Sequence, residues 1–379
     1  MSSQIAFIDL AAQRRHLGPV VDEAILRVLE HGLYVMGPEV AQLEADLSAF
    51  CGARYSISCG NGTDALALIL MAKGVKAGDA VFCPALTFAA TAEVIAWLGA
   101  TPMFVDVCED TFNLDPMSLV ASIAAARDRG LKPVGVIAVD LFGQPANYDL
   151  IEATTANEGL WLLCDAAQSF GASYKERPVG TIGQATATSF FPAKPLGCYG
   201  DGGAVFTDDA ELAGIIRSLR IHGQGTDKYD NARVGMNSRL DTIQAAVLLE
   251  KLKIFPGEIR ARSRIATRYN EQLGDFAIAP RILEGATSVW AQYTLRLPGH
   301  DRNAVQAFLT VAGVPTAVYY PVPLHRQAAY RHYPTAPGGL PVSDRLAAEV
   351  ISLPMHPYLT EAMQDRITAA MRAALVASA

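Results

Sequence analysis

Four short runs of nearly uninterrupted apolar residues constrain the possible fold of this chain more than any other feature. They lie at 79–83, 102–106, 135–139 and 160–164. Apolar runs of this length are typical of strands that are buried on both faces, as in a parallel sheet covered by helices. Helical patterns alternate with them, for example at 38–50. The alternation predicts an α/β protein whose large domain is an α/β/α sandwich around a doubly wound sheet.

The last third of the chain predicts a smaller α+β domain. A long helix is expected over 239–254, and Pro256 should end it because proline cannot continue a helical hydrogen-bond ladder. The boundary is therefore predicted between a large domain, 1–255, and a small domain, 256–379. Beyond this boundary the pattern predicts strands at 288–297 and 316–320 and helices at 301–312, 343–351 and 360–377.

The composition argues against several classes of partner. The chain has 379 residues, a hydrophobic fraction of 51% and a net charge of −7, and its basic residues form no blocks. Nucleic acid and membranes are therefore not expected partners, and no signal peptide or membrane-spanning run is legible. The six cysteines form no C-x-x-C pair, which argues against a zinc site or a disulfide framework. We expect a cytoplasmic protein that binds a small molecule and no metal.

The segment 189–203 holds one lysine, Lys194, between an apolar strand pattern and a glycine-rich loop. Prolines on both sides of the lysine prevent a regular helix, and the glycines allow the backbone to approach a ligand closely. A lysine in a loop is most often a solvated surface charge. This one lies between two strand patterns, at 185–191 and 202–207, and the context favours an amine that is fixed beside a ligand and acts as a nucleophile.

Three further groups lie where an open α/β sheet binds ligands. Gly62 and Thr63 precede a helical run, so that their N–H groups and the Thr63 hydroxyl would be able to hold a phosphate. Asp165 ends the strand at 160–164, where its carboxylate would be able to pair with a protonated ring nitrogen. Phe88 follows the first of the four apolar runs and would be able to stack on a planar cofactor.

Each of these groups also has a purely structural interpretation. Gly62 and Thr63 would serve equally well in a helix cap. Asp165 would be able to cap a helix that begins at Ala166, and Phe88 would fit a core position. Together with the lysine, however, an anion cradle and a strand-end carboxylate are the requirements of pyridoxal 5'-phosphate chemistry, in which lysine bonds the cofactor and aspartate keeps its pyridine nitrogen protonated.

A series of motifs extends along nearly the whole chain: Phe7-Ile-Asp-Leu10, Gly37-Pro-Glu-Val40, Asn61-Gly-Thr-Asp-Ala-Leu66, Asp165-Ala-Ala-Gln-Ser169, Ser189-Phe-Phe-Pro-Ala-Lys194, Gly200-Asp-Gly-Gly203 and Gly235-Met-Asn-Ser-Arg-Leu-Asp241. In this order they resemble the DegT/DnrJ group, the fold type I, pyridoxal phosphate-dependent nucleotide-sugar aminotransferases. The resemblance implies that Lys194 bonds the cofactor, that Asp165 pairs with its pyridine nitrogen and that Gln168 bonds its ring hydroxyl.

The resemblance also implies how the phosphate of the cofactor is held. Gly62, Thr63 and Ser189 would bind it within one subunit. An asparagine from the partner subunit joins them in this family, and the matching residue here is Asn237, which by itself would be interpreted as a turn residue. The implied active unit is therefore a homodimer with shared active sites.

Four segments, at 190–203, 237–242, 313–318 and 353–358, narrow the resemblance. They are similar to those of 3-aminotransferases that act on UDP-2-acetamido-2-deoxy-ribo-hexuluronic acid. The implied reaction transfers an amino group from L-glutamate to the C3 ketone of a UDP-linked 2-acetamido-2-deoxy-3-keto-hexuronic acid. The product would serve the synthesis of a surface polysaccharide of the O-antigen type.

The substrate residues follow from the same resemblance. Arg239 would reach across the dimer and bind the sugar carboxylate with two parallel hydrogen bonds, although an ion pair with Asp241 or a solvated helix start is an equal alternative. Tyr319 lies where these relatives commonly carry a histidine, so the sugar contact made by that histidine is left open. Further candidates near the substrate are Tyr320, His325 and His222.

Other functions stay open at this stage. The same cofactor residues would serve an aminotransferase of another 3-keto or 4-keto sugar, linked to UDP or dTDP. A nicotinamide-dependent sugar oxidoreductase is disfavoured because no G-x-G-x-x-G follows an early strand. A non-catalytic regulatory relative, or a dehydratase of the same family, is expected to lack the lysine that this chain retains as Lys194.

Overall fold

A computed structural model describes residues 5–227 and 229–378 of the chain. Its helices are α1 (Leu10–Leu17), α2 (Val20–His31), α3 (Pro38–Cys51), α4 (Gly62–Ala72), α5 (Ala90–Trp97), α6 (Pro116–Asp128), α7 (Tyr148–Glu158), α8 (Ala210–Leu219), α9 (Thr242–Leu273), α10 (Arg302–Val311), α11 (Pro341–Glu349) and α12 (Glu361–Ala377). Its strands are β1 (Tyr55–Cys59), β2 (Asp79–Pro84), β3 (Thr101–Val105), β4 (Lys132–Val139), β5 (Trp161–Asp165), β6 (Ser173–Tyr174), β7 (Arg177–Pro178), β8 (Ala185–Ser189), β9 (Gly203–Thr207), β10 (Tyr293–Arg296) and β11 (Val350–Leu353). Short 3-10 helices lie at Leu141–Gly143 and Leu324–Arg326.

Seven strands form one sheet in the order β1-β9-β8-β5-β4-β2-β3. From β3 to β8, neighbouring strands in this order are parallel, whereas β9 is antiparallel to both β1 and β8. β1 therefore points the same way as the parallel strands. All four apolar runs of the sequence are strands of this sheet, as predicted, and the pattern at 202–207 returns as β9.

The side chains of β2 show why helices cover both faces of the sheet. Val81 and Cys83 pack into a core that includes α4, α5 and α8. Ala80 and Phe82 point to the opposite face and pack with α6 and α7. All four side chains are fully buried, because alternate residues of a strand project to opposite faces and helices cover each face. The predicted α/β/α sandwich is confirmed.

The prediction that a helix ends before Pro256 is wrong, because α9 continues through this residue to Leu273. Proline removes the backbone bond to the carbonyl group four residues earlier, at a cost of about 3 kcal/mol. Buried side chains on both sides of it keep the helix continuous: Phe255 packs against α3 and the sheet, and Tyr269 packs into the C-terminal core. The junction proposed at 255/256 thus lies inside a helix, and the division into two domains stays a prediction.

The C-terminal region contains the three predicted helices as α10, α11 and α12. The strand predicted at 288–297 is confirmed only over β10, which pairs with β11. The strand predicted at 316–320 is wrong, since only Ala317 forms a bridge, to Ser352. The residues that follow leave the sheet because Val318, Tyr319 and Tyr320 pack instead on an apolar cluster next to the carboxyl ends of β2 and β4.

No helix in the part of the chain that the structure describes has both the length and the apolarity of a membrane span. The six cysteines are free thiols, and all of them except Cys108 are buried. Burial raises the pKa of the Cys51 thiol to about 11, so that this group stays protonated at neutral pH.

Candidate active site

The residues expected to bind the cofactor within one subunit approach one another where the parallel strands of the sheet end. β1, β5 and β8 point in the same direction, so that the segments after their carboxyl ends meet there. The segment after β1 carries Gly62 and Thr63, and β5 ends at Asp165. The loop after β8 carries Lys194.

The start of α4 presents free backbone donors. The side chain of Asn61 accepts the N–H of Asp64 at 2.8 Å and thereby caps the helix. Among the described residues, no hydrogen bond uses the N–H of Gly62 or of Thr63. The interpretation of these two residues as the cap is therefore wrong. Free N–H groups at the positive end of a helix dipole favour a bound anion.

Close packing requires glycine on two sides of this cradle. A Cβ atom on Gly62 would lie 2.7 Å from the Cβ atom of Ser189. A Cβ atom on Gly203 would lie 2.4 Å from the carbonyl oxygen of Asn61. Both contacts are too short for any larger residue, so the backbone itself lines the cradle. Gly62 thus packs directly against Ser189, and the free N–H groups of Gly62 and Thr63 fit a phosphate group.

Asp165 is a buried carboxylate with two donors. Its Oδ2 accepts the hydroxyl of Thr91 at 3.1 Å, and its Oδ1 accepts the N–H of Ala167 at 3.2 Å. Burial raises the pKa of Asp165, while these donors and the positive charge of Lys194 act in the opposite direction. No helix begins at Ala166, because the residues after β5 form turns. Asp165 is therefore free of the capping role and available to a ligand.

Lys194 lies on a turn that hydrogen bonds hold at several points. Its own N–H donates to the carbonyl of Phe191 at 2.8 Å. The base of the loop is closed by bonds from Cys198 to Phe190, at 2.8 Å, and from Phe190 to Gly202, at 2.7 Å. Burial lowers the pKa of the Lys194 amine, and the charge of Asp165 partly opposes this shift. The structure therefore favours the neutral, nucleophilic amine more than a solvated lysine would.

Gln168, three residues after Asp165, contacts an aromatic side chain, Tyr320. Its Oε1 accepts the N–H of Phe142 at 2.6 Å, and its Nε2 lies 3.4 Å from the hydroxyl of Tyr320. The rings of Tyr320 and Phe88 are 6.3 Å apart. Phe88 is 59% exposed, so its interpretation as a core residue is wrong and its ring is accessible to a planar ligand. Tyr319 packs between Phe7 and Tyr320.

These residues fit pyridoxal phosphate. The cradle at Gly62 supplies donors for a phosphate, Asp165 supplies a buried carboxylate for a ring nitrogen, and Lys194 supplies an amine whose protonated form is disfavoured. The Phe88 ring and the Gln168 amide would contact the face and the edge of the cofactor ring.

Two histidines do not join this group through any contact among the described residues. His222 is exposed on a turn with φ of 64°, where its backbone, not its ring, is hydrogen bonded. His325 is buried with Nε2 3.1 Å from Asp344, although without the alignment of a hydrogen bond. Burial lowers the pKa of His325, whereas Asp344 raises it. Their contact with a substrate stays a prediction.

Asn237 and Arg239 also lie outside the cluster within one protomer. Asn237 is exposed, and its backbone bridges to Ile221. Arg239 is half-buried and, among the described residues, forms no ion pair, including none with Asp241. Both residues are therefore available to a group outside this protomer.

Sequence reasoning missed three supporting residues. Thr91 donates to Asp165, and Ser238 donates to Asp64 at 2.7 Å and accepts the N–H of Gly60 at 3.0 Å. Neither residue has a local signal, because its partner is distant in sequence. Asp140, described below, follows the strand predicted at 135–139, and the strand-end rule would have found it.

Known proteins resemble this chain over nearly its full length. A model of the DegT/DnrJ/EryC1/StrS aminotransferase family matches residues 18–372. The chain is 49% identical to a UDP-2-acetamido-2-deoxy-3-oxo-D-glucuronate aminotransferase of Pseudomonas aeruginosa, over 97% of this chain and 99% of that protein. A crystal structure of a DegT/DnrJ/EryC1/StrS aminotransferase from Brucella abortus matches with a TM-score of 0.96 and 52% identity, over 97% of this chain and 99% of that one. A crystal structure of NtdA from Bacillus subtilis with bound cofactor PMP matches with a TM-score of 0.90 and 27% identity, over 99% of this chain and 86% of that one.

The comparisons confirm the resemblance that the motifs predicted. The sandwich is that of fold type I transferases, and the geometry of the cradle, the acid and the amine agrees with the cofactor of the family. The chain belongs to the DegT/DnrJ/EryC1/StrS aminotransferase family, whose members depend on pyridoxal phosphate.

Proposed function

We propose that this aminotransferase transfers an amino group from L-glutamate to the C3 ketone of a UDP-linked 2-acetamido-2-deoxy-3-keto-hexuronic acid. The observation that carries the proposal is 49% identity, over nearly the full length, to an enzyme named for a UDP-linked 3-oxo sugar acid. The product is an amino sugar for a surface polysaccharide of the O-antigen type. The free cysteines, all of them buried except Cys108, suit synthesis in the reducing cytoplasm.

Three residues are proposed to act on the cofactor, each with a different role: Lys194, Asp165 and Gln168. Bound pyridoxal phosphate supplies an electron sink and a carrier for the amino group. Lys194 would bond the cofactor, and its Nζ would accept and return a proton at the substrate carbon, a task for which the lowered pKa of its amine is suited. Asp165 would keep the ring nitrogen protonated, and Gln168 would bind the ring hydroxyl.

The substrate carboxylate is assigned to Arg239. A guanidinium matches a carboxylate with two parallel hydrogen bonds, and this half-buried cation has no ion pair among the described residues. Tyr320, whose hydroxyl lies 3.4 Å from Gln168 Nε2, is proposed to contact the sugar near the cofactor ring. Tyr319, His325 and His222 are further candidates for contact with the sugar.

An exposed apolar surface supports a homodimer with shared sites. Leu33 is 56% exposed and Tyr34 is 48% exposed, and the next two residues are also apolar and exposed. This segment is fixed beside the residues that follow Arg239: Val35 bridges to Asp241, and the carbonyl of Tyr34 accepts the N–H of Thr242 at 2.9 Å. Contiguous exposed apolar residues are typical of protein interfaces.

The position of this surface supports the proposed exchange of residues. Leu26 and Leu29 of α2 extend it, with exposures of 55% and 48%. A second copy of the chain that covers the surface would lie next to Asn237 and Arg239. In a two-fold dimer each subunit would then donate both side chains to the site of its partner, Asn237 to the cofactor phosphate and Arg239 to the sugar.

Product analysis tests the substrate. The purified enzyme, reconstituted with pyridoxal phosphate, is incubated with ¹⁵N-labelled L-glutamate and a panel of UDP- and dTDP-linked 3-keto and 4-keto sugars, each with and without a uronic carboxylate. We expect ¹⁵N to appear at C3 of the UDP-linked uronic acid. Preferential turnover of a 4-keto or 6-deoxy sugar would contradict the proposal, and transfer from another amino acid alone would contradict the donor.

A non-catalytic regulatory role is the alternative from a different class. It would require binding of a nucleotide sugar without transfer of nitrogen. The retention of Lys194 in a turn that lowers the pKa of its amine argues for catalysis. Absence of ¹⁵N transfer to every sugar of the panel, with at least one of them bound, would favour the regulatory role.

A further inference from the structure

A buried carboxylate that has no role in the proposed chemistry lies directly behind the acid of the site. Asp140 follows β4 and is fully buried. Its backbone N–H donates to the carbonyl of Asp165 on the neighbouring strand at 3.1 Å. The two residues are therefore adjacent at the sheet edge, one facing the cofactor space and the other lying within the protein.

Four donors converge on the Asp140 carboxylate. Oδ1 accepts the hydroxyl of Tyr148 at 2.7 Å and the N–H of Ala146 at 2.9 Å. Oδ2 accepts the hydroxyl of Ser169 at 2.7 Å and the thiol of Cys164 at 3.3 Å. Burial raises the pKa of Asp140 to about 6, and the four donors limit that rise. A buried carboxylate with so many donors is a fixed anchor for the groups around it.

The two donors to Oδ2 enclose the cofactor-binding segment. Cys164 immediately precedes Asp165, and Ser169 immediately follows Gln168. A single carboxylate oxygen thus holds both ends of the segment that carries the proposed acid and the proposed ligand of the ring hydroxyl. Rotation of this segment would break at least one of the two bonds.

The two donors to Oδ1 fix a second support of Gln168. They hold the turn 140–146, and the N–H of Phe142 in this turn donates to Gln168 Oε1 at 2.6 Å. Asn113 reinforces the same turn, accepting the N–H of Leu141 at 2.8 Å and donating to the carbonyl of Gln144 at 3.1 Å. The amide of Gln168 is therefore oriented through a turn that Asp140 closes.

We propose that Asp140 is a positioning residue that sets the orientation of Asp165 and Gln168 toward the ring of the cofactor. It touches neither the cofactor nor the substrate and acts through Cys164, Ser169 and the turn 140–146. The inference rests on the proposed function only insofar as Asp165 and Gln168 face the ring. It explains why a fully buried carboxylate lies at this point of the sheet edge.

The test compares Asp140→Asn with Asp106→Asn. Asp106 is a matched control because it is also buried at a strand end, after β3, and accepts the hydroxyl of Ser343 at 2.7 Å and its N–H at 2.8 Å. Its carboxylate also accepts the N–H groups of Val107 and Val342, and none of these four contacts involves residues 164–169. Both substitutions preserve size and remove one buried charge.

The readouts are the affinity of each purified variant for pyridoxal phosphate and the visible circular dichroism of the bound cofactor, which reports its orientation. We expect Asp140→Asn to weaken cofactor binding about tenfold, comparable to the loss of one charge-assisted hydrogen bond, and to alter the dichroism. Asp106→Asn should lower the unfolding temperature but bind the cofactor like the wild type. Equal affinity and equal dichroism in the two variants would overturn the proposal.

Ser169→Ala keeps the proposal testable if Asp140→Asn does not fold. It removes a single bond to Oδ2 and should weaken cofactor binding about threefold, with a change in the dichroism of the same sign. Wild-type values for Ser169→Ala would then overturn the proposal. The wild-type protein separates the two hypotheses: absence of any visible band with pyridoxal phosphate contradicts the proposed function, whereas a difference between the Asp140 and Asp106 variants concerns Asp140 alone.

Discussion

Arg239 combines an unusual set of properties for a surface arginine. It is half-buried and has no ion pair among the described residues, although Asp241 lies two positions away. A desolvated guanidinium without a partner gains most from a ligand that carries a carboxylate. The contribution of Arg239 to substrate binding should therefore depend on whether the bound sugar carries a carboxylate.

Arg239→Ala should reduce kcat/KM for the uronic acid substrate by about tenfold to a hundredfold, the loss of a bidentate charge-assisted pair. The reduction for a neutral keto sugar of the same nucleotide should be much smaller. Arg239→Lys should give an intermediate loss, because lysine keeps the charge but not the planar pair of donors. Steady-state kinetics on the two sugars measure this, and equal losses on both would contradict the carboxylate role.

Lys251, which lies beneath the loop 190–202, is a cation whose burial disfavours its charged form. It is fully buried on α9, its Nζ donates to the carbonyl of Gly197 at 2.6 Å, and it lies 4.3 Å from the centre of the Tyr199 ring. Burial lowers the pKa of Lys251 from 10.5 to about 8, while Glu258 and Cys198 oppose the shift. Because the native pKa is the lower one, the cost of the buried charge is complete below pH 8 and disappears toward pH 10.5.

The free energy of unfolding of the wild type should therefore rise between pH 7 and 9.5, by on the order of 2 kcal/mol relative to Lys251→Met, which cannot titrate. Urea denaturation at a fixed protein concentration measures the difference. Lys253→Met, at an exposed position of the same helix, should follow the wild-type curve. Parallel curves for the wild type and Lys251→Met would show that Lys251 does not titrate in this range.

Some single residues were predictable and others were not, for physical reasons. Lys194 and Asp165 carry local signals, since prolines and glycines surround one and an apolar strand precedes the other. Ser238 carries none, because its partners Gly60 and Asp64 come next to it only when the chain folds. The pairing of Asp140 with Ser169 is likewise a consequence of adjacent strands.

At the scale of elements, α9 departs most from the sequence prediction. The rule that proline ends a helix is local, whereas the burial of Phe255 and Tyr269 depends on two different cores. Pro256 itself is exposed, so that its ring contributes little to either core. The four strands of the large sheet at 79–83, 102–106, 135–139 and 160–164 were predicted better, because their apolar runs report burial on both faces directly.

Pro256→Ala should raise the free energy of unfolding by about 1 to 3 kcal/mol, since it restores a backbone donor within α9. Pro38→Ala is the matched control: Pro38 is the first residue of α3, where a missing N–H costs nothing and the fixed φ angle is favourable. It should leave stability unchanged or lower it. Chemical denaturation of both variants checks this, and a destabilised Pro256→Ala would show that the proline is needed in α9.

At the scale of the whole molecule, the proposed exchange of Arg239 predicts complementation between two inactive proteins. Lys194→Ala would lack the proposed nucleophile of its own site, and Arg239→Ala would lack the residue that it is proposed to donate to its partner. In a mixed dimer, one site would carry both lesions and the other would be intact.

Equal amounts of the two variants, dissociated and reassociated together, should therefore recover about a quarter of the wild-type activity toward the uronic acid substrate, since half of the dimers are mixed and each has one intact site. The separate variants, treated in the same way, are the controls. Sedimentation of the mixture confirms that dimers have formed. Activity no greater than the mean of the two variants would contradict a site shared between subunits.

The reversed direction of β9 has a consequence for how the chain can change. If β9 were parallel to β8, the chain that leaves β8 would run back over one face of the sheet to the amino end of β9. Such a crossover connection would tolerate insertions of many lengths. Here Gly203 begins β9 directly beside Ser189, the last residue of β8. Both ends of the loop 190–202 are thus fixed on adjacent, paired strands. An insertion or deletion in this loop would therefore move the Lys194 amine, so the length of the loop and the position of the amine can change only together.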